Sequence, residues 1–257
     1  MGKIKIAAYQ FAGGGSIDEN FLKIKNGIQK AAQEKVRILA FHECALTGYP
    51  PVECSFNAID FEKAETYCCQ IKELAKEYGI FIFLGCIDLK NGAAYNAVRV
   101  FSPSGEELTP YHKRALWGWD RESFREGENC GIYEIDGIKV GVRICFEIRF
   151  PEYFRELYGN VDLGIVSFCD ISEENKPDRY NLIKGHLLTR AVENVLPILS
   201  VNDAAKYQTA PTAFFDAYGH TLCEAKTGME ELLVYEFSRH TDNFGTNGIK
   251  FINGKLF

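Results

Sequence analysis

The sequence predicts an α/β fold made of two similar halves. Short apolar segments of strand length alternate with longer amphipathic segments of helical period in both halves of the chain. Some of the strand segments are apolar throughout, as at 36–41 and 161–168, which is typical of strands buried on both faces. No low-complexity run or Pro/Ser-rich linker divides the chain, so we expect one domain over residues 1–257.

In the first half, capping and turn residues mark the limits of the elements. Ser16 and Glu19 form a capping box before the first helix. Gly79 ends a second helix, and Asn91-Gly92 is a hairpin turn signal. The predicted elements are a strand at 3–11, a helix after residue 16, a strand at 36–41, a helix from about 60 to 78, strands at 80–89 and 94–101, and a further turn leading to 111–113.

The second half starts from a strand that ends at a cysteine. Asp136-Gly137 is a turn signal, and Val140, Val142 and Ile144 share one face of the strand before Cys145. The segment 114–129 is irregular and aromatic, either a loop over a pocket or a packed surface loop. The elements that follow are a helix at 151–158, a strand at 161–168, a helix at about 178–195, a strand at 196–201, a turn within 214–221 and a strand at 232–237. The polar, glycine-rich tail at 239–257 is either a loose terminus or a segment that reaches a partner subunit.

Composition excludes several classes of function. The formal net charge is −6, which argues against a nucleic-acid surface or an anionic membrane surface as the partner. No run has the length of a transmembrane helix, and we see no secretory signal. The nine cysteines are an odd number without any C-x-x-C spacing, so we expect no disulfide framework, no zinc or other metal site, and a reducing cytoplasm.

Three chemically active residues follow strand-like segments. Glu43 comes after the second strand, Lys113 after the hairpin, and Cys145 after the central strand. In α/β folds such strand ends usually form the site, so the three side chains could meet in one crevice. Taken singly, each has a simpler interpretation, as a surface glutamate, a solvated lysine and a small core cysteine.

Four motifs in order resemble those of the nitrilase superfamily of carbon–nitrogen hydrolases. The resemblance spans nearly the whole chain and implies a four-layer α-β-β-α sandwich. The matching segments are Phe41-His42-Glu43 with Thr47-Gly48-Tyr49, Tyr111-His112-Lys113, Gly141-Val142-Arg143-Ile144-Cys145-Phe146-Glu147-Ile148-Arg149-Phe150-Pro151-Glu152, and Arg190-Ala191-Val192-Glu193-Asn194.

The resemblance implies a role for each of the three residues. Cys145 would be the nucleophile, and Glu43 the general base that takes its proton and later activates water. Lys113 and the backbone N–H of Phe146 would stabilise the oxyanion. Tyr49, in the same motif as Glu43, is a candidate substrate contact. No cofactor is implied.

A second acidic residue is common near the lysine in this superfamily, where it orients the lysine. The candidates here are Glu122 and Asp120, and we favour Glu122 because the loop around it is more similar to the family's loop. We expect Glu147 and Arg149 to pair and to brace the turn at the nucleophile.

The substrate implied is a small molecule: a small amide, an ω-amide of a dicarboxylate or an N-carbamoyl compound, with a nitrile disfavoured. A homodimer or larger homo-oligomer is also implied. The alternatives are an amide acyltransferase, in which an amine resolves the thioester, and a binding or regulatory protein that keeps the fold without turnover. A Cys145–His186 pair, as in thiol proteases, is disfavoured because His186 lies on a helix face with no such signature around it.

Overall fold

The computed structural model describes residues 3–256 and contains two six-stranded mixed sheets. The strands of the first sheet are β1 (Ile4–Gln10), β2 (Ile38–Phe41), β3 (Phe81–Lys90), β4 (Ala93–Phe101), β5 (Glu107–His112) and β12 (Glu231–Phe237). The strands of the second are β6 (Ile132–Ile135), β7 (Ile138–Ile144), β8 (Leu163–Phe168), β9 (Ile198–Asn202), β10 (Ala213–Phe215) and β11 (Thr221–Glu224).

The two sheets repeat one topology, as the two-half pattern predicts. The strand orders are β12-β1-β2-β3-β4-β5 and β11-β10-β9-β8-β7-β6. Strands β1, β2 and β3 run parallel, and so do β7, β8 and β9. The strands on either side of each parallel set pair antiparallel with it, and one of them, β12, pairs with β1 although the two are more than 200 residues apart in the chain. The carboxyl ends of the central strands therefore lie at one edge of each sheet, where α/β proteins place ligands.

Six α-helices accompany the two sheets within residues 3–256. They are α1 (Ile17–Gln33), α2 (Phe61–Tyr78), α3 (Asp120–Ser123), α4 (Pro151–Arg155), α5 (Pro177–Glu193) and α6 (Phe244–Leu256). As the capping box predicts, Ser16 Oγ accepts the N–H of Glu19 at 3.3 Å, and Gly79 ends α2 with φ of 69°. Left-handed backbone at a helix end is the conformation that glycine adopts without strain.

Alternation along β1 shows how the layers form. Ile6 and Ala8 belong to the core between the two sheets, together with Val140 and Val142 of β7. Ala7 and Tyr9 point to the opposite face, where they pack with α1 and α2. On the outer face of the second sheet, residues of β8 and β9 pack against α4 and α5. The chain thus forms the four-layer α-β-β-α sandwich expected from the resemblance.

Two segments differ from the sequence-based expectation. Of the two predictions for the tail at 239–257, the loose terminus is wrong, because Phe244–Leu256 is helical and Asn253 Nδ2 donates to the carbonyl of Glu193 at 3.0 Å. Glycine and asparagine residues obscured this helix in the sequence because both have low helix propensity. The last residue of the predicted tail, Phe257, lies outside the described residues. In the irregular segment 114–129, residues 120–123 form the one-turn helix α3.

No helix within residues 3–256 combines the length and the apolar character needed to cross a membrane.

Candidate active site

Glu43 lies in a tight turn directly after β2, where the two sheets meet. Its backbone N–H donates to the carbonyl of Phe168 at 3.2 Å, at the end of β8. The turn passes so close to β3 that a Cβ on Gly85 would be 1.8 Å from the carbonyl oxygen of His42. A glycine in β3 is therefore needed for the turn that buries Glu43.

Three hydrogen bonds fix the Glu43 carboxylate. Oε1 accepts the ammonium of Lys113 at 2.8 Å and the amide of Asn96 at 2.7 Å. Oε2 accepts the backbone N–H of Cys169 at 2.9 Å. Since a carboxylate offers about four acceptor positions, one position remains on Oε2 for a proton. Sequence reasoning missed Asn96, which lies within β4 and carries no local signal of a role.

Lys113 is fully buried between two carboxylates. Its Nζ donates to Glu43 and, at 2.8 Å, to Oδ2 of Asp120, while its backbone N–H donates to the carbonyl of Asn96. Burial alone lowers the pKa of this ammonium, but the charges of Glu43 and Asp120 outweigh burial and hold the pKa well above its usual value. An ammonium has three N–H donors. Two of those on Lys113 bind Glu43 and Asp120, so one remains to donate to another group.

The second acidic residue is Asp120, which corrects our preference for Glu122. Asp120 is fully buried, and its carboxylate also accepts the Tyr49 hydroxyl at 2.7 Å and the N–H of Trp117 at 2.9 Å. Glu122 is exposed and does not contact Lys113. The first turn of α3 directs residue 120 inward and residue 122 toward solvent, because residues two apart on a helix lie on different faces.

Cys145 occupies a strained turn at the end of β7. Its φ is +45°, a region that residues with a side chain rarely adopt, and a 3₁₀ helix begins there (Cys145–Arg149). The thiol pKa is well above its usual value because of burial first and the Glu43 carboxylate second, with Lys113 opposing them. The resting cysteine is thus a protonated thiol that needs a base.

Glu147 braces the nucleophile turn, as expected, but Arg149 is not its partner. Glu147 accepts the N–H of Ile144 at 2.6 Å, the hydroxyl of Tyr111 at 2.8 Å and the N–H of Arg114 at 2.7 Å. This carboxylate therefore joins the cysteine turn to the loop that carries Lys113. Arg149 instead lines the cavity in front of Cys145, which corrects the expected pairing.

A cavity of about 250 Å³ opens in front of the thiol. Tyr49 and Phe146, both sequence candidates, line it, and Trp119 Nε1 donates to the Tyr49 hydroxyl at 3.2 Å. Phe146 is in the first turn of the 3₁₀ helix, where backbone N–H groups have no partner within the helix. Glu43 and Lys113 lie behind this wall, since neither has an exposed side chain.

Three cationic side chains also line this cavity: Arg149, Lys176 and Arg179. Asp170, the single carboxylate in the lining, is held by Arg179 through two bonds of 2.7 Å. Lys176 has Glu174 at 3.3 Å, whereas no carboxylate within residues 3–256 forms an ion pair with Arg149. The lining thus has a positive balance, with Arg149 as its uncompensated charge.

Two alternative types of site receive no support from the geometry. The part of the chain that the structure describes holds no group of three or more His, Cys, Asp or Glu side chains able to bind a metal ion. His186 is on α5 and does not line the cavity in front of Cys145.

Together these features define a class of protein, in which an α-β-β-α sandwich brings a thiol, a carboxylate and an ammonium together at the ends of its strands. The model of the carbon–nitrogen hydrolase family matches residues 5–241. The chain therefore belongs to the carbon–nitrogen hydrolase family, which confirms the resemblance seen in the sequence. It is an enzyme of that family, a carbon–nitrogen hydrolase.

Similar proteins agree with this placement. The chain is 26% identical to omega-amidase NIT2 of Xenopus tropicalis, covering 91% of this chain and 88% of that protein. It is 27% identical to 2-oxoglutaramate amidase of Bacillus subtilis, covering 86% and 84% respectively. The fold is shared with an amidase from Nesterenkonia sp. AN1 that carries the acetamide moiety of fluoroacetamide on its active-site cysteine, with a TM-score of 0.84 at 18% identity, covering 99% of this chain and 96% of that one.

Proposed function

We propose that the chain hydrolyses the terminal amide of a small carboxylate-bearing molecule through a thioester on Cys145. Glu43 Oε2 takes the thiol proton as sulfur attacks the amide carbon. Lys113 and the Phe146 N–H bind the oxygen that becomes negative. This assignment is supported by the acceptor position left on Oε2 and the donor left on Nζ.

The same groups suffice for both halves of the reaction. When the tetrahedral intermediate collapses, the C–N bond breaks and Glu43 returns its proton to the nitrogen, so ammonia leaves and the thioester remains. Glu43 then removes a proton from water, which attacks the thioester carbon, and the departing sulfur takes that proton back. Each oxyanion donor in such a site contributes about 3 kcal/mol to lowering the barrier.

The carboxylate of the substrate is inferred from the cavity lining. Arg149 is half-buried, faces the cavity and has no ion pair with another side chain among the described residues. A guanidinium at the cavity wall without a carboxylate partner offers paired N–H donors, so a substrate carboxylate that pairs with it gains a charge-assisted hydrogen bond. The similarity to an omega-amidase and to a 2-oxoglutaramate amidase supports the same substrate class.

Succinamate and butyramide test this inference because they differ only in carrying a carboxylate or a methyl group at the far end. We expect kcat/KM, measured by ammonia release, to be higher for succinamate. Arg149→Gln should lower the ratio of the two kcat/KM values by roughly 10- to 100-fold, the effect of losing a charge-assisted hydrogen bond of about 1.5–3 kcal/mol.

Lys184→Gln is the matched control, since Lys184 lies on the same side of the second sheet but pairs with Glu224 outside the cavity. An unaltered ratio in Arg149→Gln would refute the carboxylate-binding role. Ammonia release from neither amide, alongside turnover of an N-carbamoyl compound, would refute the substrate class. Hydroxylamine added to the reaction attacks the thioester carbon in place of water and yields a hydroxamate instead of the carboxylate. Hydroxamate formation therefore reports the thioester itself.

We also infer a homo-oligomer and a cytoplasmic location. Helix α6 presents a group of exposed apolar side chains, which supports association through this surface; they are Phe244, Phe251, Ile252 and Leu256. All nine cysteines lie within residues 3–256 and are free, which supports a reducing compartment. Sedimentation of the full chain and of Phe251→Glu tests the association, and a monomer at all concentrations in the unsubstituted chain would refute it.

A further inference from the structure

A second group of buried titratable side chains lies next to Glu43 and has no part in the reaction above. It comprises His42, which precedes Glu43, Glu53 of the following loop, Cys169 after β8, and Asp203 after β9. His42 and Asp203 are fully buried, and Glu53 is partly buried. Charged groups are rarely placed in such surroundings without partners.

Asp203 accepts hydrogen bonds from the backbone on both of its oxygens. Its Oδ2 accepts the backbone N–H of Gly13 at 2.6 Å, and its Oδ1 accepts the N–H of Ala205 at 2.6 Å. Both oxygens therefore already accept a backbone donor, so Asp203 acts as a hydrogen-bond acceptor in this group.

Glu53 faces Asp203 with one oxygen and the active site with the other. A Cβ on Gly13 would lie 2.7 Å from Glu53 Oε1 and 2.7 Å from Asp203 Oδ2, so both oxygens converge on one point that only a glycine leaves free. Glu53 Oε2 accepts the N–H of Tyr49 at 2.8 Å and the Cys169 thiol at 3.8 Å. The side chains of Glu53 and Asp203 also form a hydrogen bond with each other, and since two ionised carboxylates have no donor between them, this contact requires a shared proton.

The other groups packed around the pair do not neutralise it. His42 Nε2 is 3.4 Å from Asp203 Oδ2, but burial lowers the pKa of this imidazole, and Lys23 of α1 lowers it further against the opposing charge of Asp203. The thiol of Cys54, beside Glu53 in sequence, has its pKa raised to about 11, and burial also raises the pKa of Cys169. These groups are neutral near pH 7, so they supply no positive charge to the two carboxyl groups. Only a proton shared by Glu53 and Asp203 reduces the negative charge of the pair.

We propose that Glu53 is protonated on Oε1, donates this proton to Asp203 Oδ2, and through its Oε2 positions Tyr49 and Cys169 at the active-site cavity. Tyr49 donates its hydroxyl to Asp120, and the Cys169 N–H binds Glu43. Asp120 and Glu43 are the two carboxylates that flank Lys113. The Glu53–Asp203 pair thus holds in place a hydrogen-bond donor to each of them. Glu53 is a positioning residue, since it does not touch the reacting atoms.

Deprotonation of Glu53 should loosen this arrangement at alkaline pH. Burial and then the Asp203 charge raise the pKa of Glu53 from 4.5 to about 8. A carboxyl with a raised pKa in the folded state stabilises the fold fully below its unfolded value, and this stabilisation is lost as pH rises through the folded value. The free energy of unfolding should therefore fall between about pH 5 and pH 8 because of this group.

Amide substitutions at the two positions test which carboxyl holds the proton. In Glu53→Gln the amide carbonyl still accepts the Tyr49 N–H and the NH₂ group donates to Asp203, so the fold should be retained. In Asp203→Asn the new NH₂ group is a donor that must face another donor: the N–H of Gly13, the N–H of Ala205 or the Glu53 proton. This variant should therefore unfold at a clearly lower urea concentration. Glu77→Gln, at an exposed position of α2, is the matched control.

Infrared difference spectra near pH 7 report the proton directly. The spectrum of the unsubstituted chain minus that of Glu53→Gln should contain a carboxylic acid C=O band that disappears above about pH 8, and subtraction of Glu77→Gln should show only an ionised carboxylate. Absence of the acid band would overturn the shared proton. Tolerance of Asp203→Asn together with unfolding of Glu53→Gln would overturn its assignment to Glu53.

The positioning role has its own readout, which rests on the proposed function. The kcat of Glu53→Gln relative to the unsubstituted chain, on whichever amide the latter hydrolyses best, should rise severalfold between about pH 7 and pH 9, because glutamine cannot lose a proton. A constant ratio despite the acid band would overturn the positioning role alone. The infrared and unfolding measurements do not depend on turnover, so failure of the proposed function is distinguishable from failure of the pair.

Discussion

Replacement of Asp120 by asparagine tests the buried charge cluster most sharply. Asparagine keeps the shape, and its carbonyl oxygen can still accept Lys113 and the Trp117 N–H while its NH₂ group donates to the Tyr49 oxygen. The substitution therefore removes one negative charge beside a fully buried ammonium and little else. A charge-assisted hydrogen bond contributes about 1.5–3 kcal/mol, so kcat/KM should fall roughly 10- to 100-fold.

Stability should fall in the same variant because Lys113 then has a single carboxylate partner, Glu43. Removing one partner of a buried ion pair costs about 3–5 kcal/mol, and we expect the lower end because Glu43 remains. Ammonia release and urea unfolding on the same preparations measure both effects.

The control for this prediction is Glu122→Gln, two residues away on the exposed side of α3. Its activity and its urea midpoint should stay close to those of the unsubstituted chain, since surface substitutions usually change stability by less than about 0.5 kcal/mol. A larger loss of activity in Glu122→Gln than in Asp120→Asn would refute our account of the lysine's surroundings.

Two further substitutions test the assigned roles of the thiol and the base. Cys145→Ala should bind succinamate but release no ammonia, and hydroxylamine should yield no hydroxamate; ammonia release above the uncatalysed rate would contradict the thioester mechanism. Glu43→Gln should lower kcat by roughly 100- to 10,000-fold, the usual contribution of a general base, with a much smaller change in substrate affinity measured by calorimetry. Normal turnover in Glu43→Gln would transfer the role of base to another group.

Local signals in the sequence were sufficient for the α/β class, for its two similar halves and for the three strand-end residues, while the four layers of the sandwich followed from the resemblance to the family. Apolar period and length predict which segments are strands buried on two faces, and capping residues predict where α1 begins and where α2 ends. Glu43 and Cys145 are conspicuous because each is a reactive group placed where an apolar strand stops. Their position relative to the fold follows once the strands are parallel.

Tertiary structure alone decided the partners of those residues. Whether Asp120 or Glu122 contacts Lys113 depends on the path of a short loop, and Asn96 reaches Glu43 only because β4 lies beside β3 in the sheet. Glu53 and Asp203 are far apart in the chain and meet at Gly13 because the ends of different strands converge there. A local pattern specifies strand, helix and turn, but the partner of a buried charge is set by packing between distant segments, which periodicity does not encode.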